Sequence, residues 1–283
     1  MLAYSLALAA AACWGVADFL GGVTAKKHPV LAVAVLSQVA GATAMAILIG
    51  VAGISMPPLR YLIFGVAGGV AGSVGLTALY AGLAYSRMGV VAPLAATSVV
   101  VPVAVGLGSG EGLSILEATG LFLAFAGVIF VSRAADASSA GGRSGVGLGI
   151  MAALGIGTLL VALERASTGD AYWAVFTFRS TSAGLLVLAI IGLRLFNRVP
   201  KIQPSGALAP SVAIGLIDTA ANLLYSVSTQ YGRLSIVAML GSLYPVLTIL
   251  LARRLLGETM SRSQTAGVCG TVVGLVMLSS GAV

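Results

Sequence analysis

Several polar and ionisable residues lie inside long apolar stretches, where their side chains could bind a polar solute or carry a proton. Arg179 and Asp218 fall well inside two such stretches. Asp218 begins a polar series that continues with Asn222, Tyr225 and Thr229, at steps of 4, 3 and 4 residues. These steps place the four side chains on one face of a helix. An ionisable group in mid-membrane costs about 2.5–3.5 kcal/mol on insertion scales, so each one needs a partner or a function.

Two interpretations of Arg179 and Asp218 fit the sequence. The two residues lie on sequential apolar stretches, and antiparallel helices would hold them at a similar depth. They could form a buried ion pair that fixes helix packing, or they could bind a substrate or protons. The polar series that follows Asp218 favours the second interpretation.

A weaker version of this pattern is found nearer the N-terminus. Trp14 and Asp18 are one helical turn apart, and another apolar stretch carries Thr77 and Tyr80. Lipid cannot satisfy polar groups, so these side chains must face the bundle interior or a water-filled cavity. Such a cavity would suit a small polar or amphipathic solute. For Tyr80 and Tyr225, anchoring at the membrane–water interface is the alternative.

Other chemistry is not indicated by the sequence. The single histidine, His28, lies in a loop, so we expect neither a histidine-based catalytic site nor a metal site. The glycine-rich segment 106–112 lacks the lysine of a phosphate-binding loop, and we interpret it as a turn. No nucleophile and base stand out together, so we expect no enzyme activity and no cofactor.

The composition identifies the kind of helices that must position these residues. Of 283 residues, 59% are hydrophobic and 8% are charged, and the mean hydropathy is +1.08. A soluble domain carries about 25% charged residues, so this chain could not cover a water-exposed surface. The composition excludes a soluble enzyme and a disordered chain. It predicts an all-α integral membrane protein with several spans.

Ten apolar windows approach the roughly 20 residues that a helix needs to cross a bilayer. Their hydrophobicity is continuous, whereas the strands of a membrane β-barrel alternate between apolar and polar residues. The predicted spans are 2–22, 30–50, 61–84, 89–107, 114–132, 146–166, 171–195, 206–230, 234–252 and 262–282.

Three prolines lie inside the predicted fourth and ninth spans: Pro93, Pro102 and Pro245. A proline removes one backbone hydrogen bond from a helix and favours a kink. These kinks would be flexing points for gating or fixed bends, and the sequence leaves both interpretations open.

Two segments of the chain match each other at a fixed distance. Residues 110–132 align without gaps to residues 257–279 at a shift of 147, and the identities include Gly110 with Gly257. This self-similarity predicts an internal repeat.

The repeat divides the chain into halves of five predicted spans each. The halves are residues 1–132 and 146–283, and the polar segment 133–145 is the predicted linker. Because five is odd, the second half must enter the membrane upside down relative to the first. Inverted repeats are typical of alternating-access transporters, whose substrate site lies near the midplane between the halves.

The chain contains four short motifs whose order and spacing match those of a known protein family. They are Trp14-Gly15, the stretch VVAPL at 90–94, Leu243-Tyr244-Pro245 and the turn LLGE at 255–258. In these motifs the chain resembles the EamA-type transporters of the drug/metabolite transporter superfamily, over essentially its whole length. The resemblance implies ten helices in two inverted five-helix repeats, and export or exchange of small metabolites without ATP.

The sequence departs from this family pattern in the second helix of each repeat, where members often carry arginine. Arg179 fills that place in the second half, but Gln38 stands in the first. The turn of the first half also reads GSGE at 108–111 instead of LGE. A role that needs a symmetric pair of arginines is therefore not expected.

We predict that a cavity formed mainly by helices one, three, four, six, eight and nine holds the substrate, as the resemblance implies. The predicted substrate-binding residues are Trp14, Asp18, Gln38, Thr77, Tyr80, Thr97, Arg179, Asp218, Asn222, Tyr225 and Tyr244, and the predicted gating residues are Pro93, Pro102 and Pro245.

The net charge of +7 is distributed unevenly among the loops. Loops on one predicted side hold eleven Lys and Arg residues, and those on the other side hold three. The positive-inside rule then places both termini outside the cell, whereas the family resemblance implies that both are cytoplasmic. We interpret the excess charge as a signal for orientation and lipid contact, and we expect no nucleic acid partner.

The sequence thus predicts a secondary transporter in a prokaryotic-type inner membrane, an exporter or exchanger of a small metabolite such as an amino acid. Its partners would be the small-molecule substrate, the lipid bilayer and protons as a candidate coupling ion; monomer and homodimer both stay open. One alternative is a transporter of phosphorylated or nucleotide-linked sugars, which would need more cationic residues than Arg179. Another is a membrane scaffold or sensor without a transport cycle.

Overall fold

The fold is given by a computed structural model in which the described residues form helices and short connections, with no strand among them. The structure describes residues 2–86, 88–110, 142–195, 204–257 and 262–280, together with 112, 114–116, 118–120, 122–123 and 126–127. Most of the predicted linker 133–145 and Glu258 of the LLGE turn lie outside these residues.

The described helices are numbered in chain order, and their bounds follow the apolar windows. They are α1 (Leu2–Ala25), α2 (Val30–Ala52), α3 (Leu59–Tyr85), α4 (Met88–Ala96), α5 (Val100–Gly108), α6 (Gly142–Ser167), α7 (Ala171–Leu195), α8 (Pro204–Tyr231), α9 (Leu234–Gly241), α10 (Tyr244–Leu255) and α11 (Arg262–Ser280). Because α6 begins at Gly142, the last four residues of the predicted linker are helical.

Eight stretches of the described chain are helical, long and apolar enough to cross a membrane, which confirms eight of the ten predicted windows. They are Leu2–Ala25, Val30–Ala52, Leu59–Tyr85, Val91–Gly108, Gly145–Ser167, Ala171–Leu195, Gly206–Tyr231 and Leu234–Leu255. The predicted fifth span lies partly outside the described residues. The predicted tenth corresponds to α11, which holds a shorter apolar helix, Thr265–Gly274. Ten spans therefore stay a prediction.

Local signals in the sequence explain where several helices begin and end. The Asp170 carboxylate accepts a hydrogen bond from the Trp173 backbone N–H at 2.9 Å, and so caps the start of α7. Gly53 has φ 62° directly after α2, a left-handed conformation that ends the helix. Gly110 and Gly257 have φ 90° and 64°, each two residues after α5 and α10. The predicted turn at 106–112 thus follows the end of α5.

Small residues allow the helices to pack closely. The most extensive contacts are those of α3 with α6 and of α1 with α8, followed by those of α3 with α7, α2 with α8 and α2 with α7. A Cβ on Gly65 would lie 2.8 Å from the Cβ of Thr177, and one on Gly69 would lie 2.5 Å from that of Thr181. The glycine face of α3 is therefore a packing surface for α7.

The fourth and ninth spans are broken, each near a proline. A 3₁₀ turn, Thr97–Val99, separates α4 from α5, and two residues at 242–243 separate α9 from α10. Pro102 is the third residue of α5 and Pro245 the second of α10. Neither proline has an N–H to donate to the residue four positions earlier, which lies at or next to the break.

Candidate functional site

A cavity of about 50 Å³ lies between the helices, with room for a few water molecules. Its wall is largely apolar and aromatic, with two carboxylates and a few other polar groups. The lining residues are Trp14, Asp18, Gly72, Leu76, Leu79, Ser98, Ile156, Leu159, Leu160, Phe178, Asp218, Asn222, Gly241, Ser242 and Tyr244. An apolar wall with a small number of converging polar groups is typical of a small-molecule site.

The Asp218 carboxylate is held by a buried network of hydrogen bonds. Arg179 donates from Nη2 to Asp218 Oδ2 at 2.8 Å and from Nη1 to Gln38 Oε1 at 2.9 Å. Asn222 donates from Nδ2 to the Asp218 carbonyl oxygen at 2.6 Å and to Oδ1 at 3.2 Å. Three helices, α2, α7 and α8, are therefore tied together around one ion pair.

Arg179 forms this network from behind the cavity wall. Its side chain is 0% exposed, and it does not contribute to the lining, whereas Asp218 does. The guanidinium carbon lies 5.1 Å from the centre of the Phe178 ring. Gly41 makes room for it, since a Cβ there would collide with Thr219 and lie 3.2 Å from Arg179 Cδ. The structure therefore contains the ion pair that the sequence left as one of two interpretations, and Asp218 lines the cavity. Binding of a substrate or protons by these residues stays a prediction.

Asp18 faces the same cavity but has a different environment. It is 6% exposed, and within the described part of the chain it forms no hydrogen bond or ion pair. Two hydroxyl groups on cavity-lining residues, those of Ser98 and Tyr244, also have no hydrogen-bond partner among the described groups. Buried polar groups are nearly always paired, so these three point to a ligand or to water.

The predicted aromatic residues take different positions. Trp14 lines the cavity, and its ring centre lies 5.5 Å from that of Tyr225, with the rings tilted. The Tyr225 hydroxyl is directed at the Leu160 carbonyl oxygen, 3.5 Å away. Tyr80 packs its ring against Gly21 of α1. Interfacial anchoring does not fit either tyrosine, because both are completely buried.

The predicted substrate-binding set therefore separates into three groups. Those that line the cavity are Trp14, Asp18, Asp218, Asn222 and Tyr244. Behind this wall and in contact with it are Gln38, Arg179 and Tyr225. Away from the lining are Thr77, Tyr80 and Thr97.

The two threonines are satisfied by their own helices. Thr77 faces a separate lateral groove that it shares with Ser73, and its hydroxyl donates to the Ser73 carbonyl at 2.7 Å. Thr97 donates to the Leu94 carbonyl at 2.7 Å. Neither hydroxyl is free for a solute in the central cavity.

The sequence analysis missed the two serines of the lining. Ser98 lies in the break of the fourth span, and Ser242 lies in the break of the ninth. Non-helical backbone at membrane depth is tolerated where it lines a cavity, and both breaks do so here. A small polar residue three or four positions before a proline within a predicted span is the sequence signal that could have identified these two serines. Pro93 lies within α4 and not at a break, and gating by any of the three prolines stays a prediction.

Helices that surround a partly polar cavity within apolar spans define an integral, multi-pass membrane protein of the transporter class. A sequence model of the EamA-like transporter family, part of the drug/metabolite transporter superfamily, matches residues 1–133 and 143–280. The chain belongs to this family, as its motifs predicted.

Comparison with solved structures shows the same fold elsewhere. One crystal structure of a protein is similar to this chain with a TM-score of 0.73 and 17% sequence identity, over 99% of this chain and 96% of the other. At this identity the similarity concerns the fold alone. A comparison with curated proteins found no match.

Proposed function

We propose that this protein is a secondary transporter that works by alternating access between two inverted five-helix repeats. The pattern of helix contacts supports a two-fold relation between the halves. The contact of α1 with α8 corresponds to that of α6 with α3, and the contact of α2 with α8 corresponds to that of α7 with α3. Likewise α1 packs on the broken span α9–α10, and α6 packs on the broken span α4–α5.

Two pairs of glycines support the same relation. Gly110 and Gly257, which the sequence repeat aligns, are both left-handed and follow their helices at the same distance. A Cβ on Gly15 of α1 would lie 2.7 Å from the Tyr244 carbonyl oxygen, beside the break of the ninth span. A Cβ on Gly157 of α6 would lie 2.5 Å from the Ser98 carbonyl oxygen, in the break of the fourth span.

One observation carries the proposal: a partly polar cavity lies between helices of both halves and is lined by both broken spans. In alternating-access transporters the substrate site lies at the interface of the repeats, and discontinuous helices contribute to it. Rocking of one half against the other would then expose the cavity to each side in turn. A scaffold has no need of such a cavity, whereas a sensor would bind a ligand there without moving it across the membrane.

The proposed substrate is a small metabolite such as an amino acid or a related compound, and the proposed direction is export or exchange. No lysine or arginine of the described chain lines the cavity. Phosphorylated or nucleotide-linked sugars carry negative charges that such a wall would not neutralise, so they fit this site poorly. Size also matters, because the cavity as it stands must widen to admit a solute.

Flux into liposomes tests the proposal. The purified full-length protein should move labelled amino acids or related small solutes. Asp218→Asn should abolish this flux when rates are compared per folded molecule, since the substitution also weakens the buried ion pair. Thr77→Val is the matched control, because Thr77 lies in the lateral groove and its hydroxyl bonds its own helix. Flux at the normal rate in Asp218→Asn would remove Asp218 from the site.

Protons are the proposed coupling ion, and the two cavity carboxylates are the groups that would carry them. Asp18 lines the same cavity as Asp218 of α8 and Tyr244 of α10. An imposed pH gradient should drive uptake of the solute above the rate seen without a gradient. Equal rates would show facilitated exchange instead.

A further inference from the structure

The charges around the cavity do not balance. Asp218 is neutralised by Arg179 at 2.8 Å, but the Asp18 carboxylate has no counter-ion among the described residues. When both carboxylates are ionised, the site carries one net negative charge in an enclosed, largely apolar space. A buried charge requires a partner, because the apolar surroundings cannot replace its hydration.

The neighbouring groups indicate what that partner is. Trp14, Phe178 and Tyr244 present aromatic surface to the same cavity, and a cation is attracted to the face of an aromatic ring. The hydroxyl groups of Ser98 and Tyr244 are buried beside the lining and have no hydrogen-bond partner among the described groups. Aromatic rings around one free carboxylate form a site for an organic cation.

We propose that the cavity binds solutes with a single positive charge, namely protonated amines with an apolar body and no free carboxylate, and that Asp18 is their counter-ion. This inference rests on the proposed transport function. It narrows the substrate class from amino acids and related compounds to the related amines that lack a free carboxylate. The ammonium group pairs with Asp18, and the apolar body packs against the aromatic and aliphatic wall.

The position of Arg179 argues against zwitterions and anions. A free carboxylate on the solute would need a cation, and Arg179 is enclosed behind Asp218 with Nη1 and Nη2 already donating to protein acceptors. No basic residue of the described chain lines the cavity. An amino acid would therefore bring one charge that Asp18 satisfies and one that nothing in the wall satisfies.

Four compounds that share one body but differ in charge test this inference. They are phenylalaninamide (cation), phenylalanine (zwitterion), N-acetylphenylalanine (anion) and N-acetylphenylalaninamide (neutral), and the same set built on leucine provides a smaller body. Binding is measured by calorimetry on the full chain in nanodiscs. We expect at least one cation to bind at least tenfold more tightly than its zwitterionic, anionic and neutral relatives.

Variants at Asp18 then assign the charge. Asp18→Asn keeps the size of the side chain and should lose at least tenfold in cation affinity, while Asp18→Glu should retain the preference for cations. Thr77→Val should bind as the unaltered protein does. Unchanged cation affinity in Asp18→Asn overturns the inference, as does tighter binding of a zwitterion or an anion, or absence of binding by both cations.

The liposome flux assay separates this inference from the proposed function. If amino acids are transported and the cations are neither bound nor transported, the protein is a transporter and the assignment of Asp18 is wrong. If no solute of any charge moves, the transport proposal itself fails, and the substrate class fails with it.

Discussion

Two carboxylates face one cavity, and their surroundings differ in a way that separates two uses of a buried charge. Asp218 on α8 accepts hydrogen bonds from Arg179 and Asn222, whereas Asp18 on α1 accepts none from the described chain. A charge with several protein partners holds helices together. A charge without one is costly to keep, and its presence points to a ligand. We therefore propose that Asp218 serves both helix packing and binding, and that Asp18 serves binding.

A second contrast lies between α2 and α7, the helices that the proposed repeat places in corresponding positions. They pack directly against each other, and Arg179 of α7 reaches Gln38 of α2 at 2.9 Å. An arginine at each position would bring two like charges together in a buried space. The single arginine instead donates to Gln38 and to Asp218.

The largest expected loss of folding free energy comes from removing the counter-ion of Asp218, so that Asp218, like Asp18, has no ionic partner among the described residues. Arg179→Ala removes the only cation near Asp218 in the described structure and leaves a buried carboxylate uncompensated. Breaking a buried pair in this way costs about 3–5 kcal/mol, measured as the free energy of unfolding in detergent. Asp18→Ala, which breaks no described hydrogen bond, is the matched control and should change the free energy far less. Equal losses in the two variants would contradict the comparison.

Removal of Gln38 should have the next largest effect. Gln38→Leu places an apolar side chain of similar size at a fully buried position and leaves Arg179 Nη1 without its acceptor. Loss of a hydrogen bond to a charged group costs about 1.5–3 kcal/mol. Thr43→Val on the same helix is the control, because Thr43 is exposed and its hydroxyl bonds the Val39 carbonyl. The prediction is wrong if the two variants unfold at the same denaturant concentration.

If the two halves are equivalent, a methyl group added at either helix crossing beside a broken span should lower the stability of the protein by a similar amount. Gly15→Ala and Gly157→Ala each place a methyl group within 2.8 Å of the opposing helix. Overpacking of this kind costs about 1–3 kcal/mol, to be measured by thermal unfolding of each variant. Gly184→Ala should be neutral or slightly stabilising, since a Cβ there meets nothing within 4 Å. A large loss at one crossing alone would show that the halves pack differently.

The smallest expected effect concerns the link between α10 and α1 beside Asp18. The Thr248 hydroxyl donates toward the Gly15 carbonyl oxygen at 3.1 Å and the Tyr244 carbonyl oxygen at 3.3 Å. Thr248→Val removes this link and should cost about 0.5–1.5 kcal/mol of unfolding free energy. Thr158→Val, at an exposed position whose hydroxyl bonds Leu154 of its own helix, provides the control. No difference between the two would show that the interhelical bond adds nothing.

The spans were predictable because bilayer thickness sets how many apolar residues a crossing needs. The eight stretches confirmed by the structure agree with their predicted windows to within a few residues at each end. The pairing of Arg179 with Asp218 was also predictable, since two opposite charges at similar depth in an apolar bundle stabilise each other. The bounds of the predicted fifth span and linker fall largely outside the described residues and stay predictions.

The direction in which each helix face points was not predictable to the same degree. Thr77 and Tyr80 share a polar series, yet Thr77 faces a lateral groove and Tyr80 packs against Gly21. The rotation of α3 is set by its glycine face against α7 and its contact with α6. Those contacts join residues far apart in the chain, so no local pattern within α3 reveals them.

The amino-acid sequence by itself determined that this is a membrane protein with few charged residues, each energetically costly inside the bilayer. Composition and the length of apolar stretches can be read directly from the sequence, without knowledge of contacts between helices. It also determined which ionisable residues needed an explanation. Only the tertiary structure decided that Arg179 lies behind the cavity wall, that both broken spans line the cavity, and that Asp18 is left without a described partner. The physical reason is that charge compensation depends on distances between helices, and those distances follow from packing of the whole bundle.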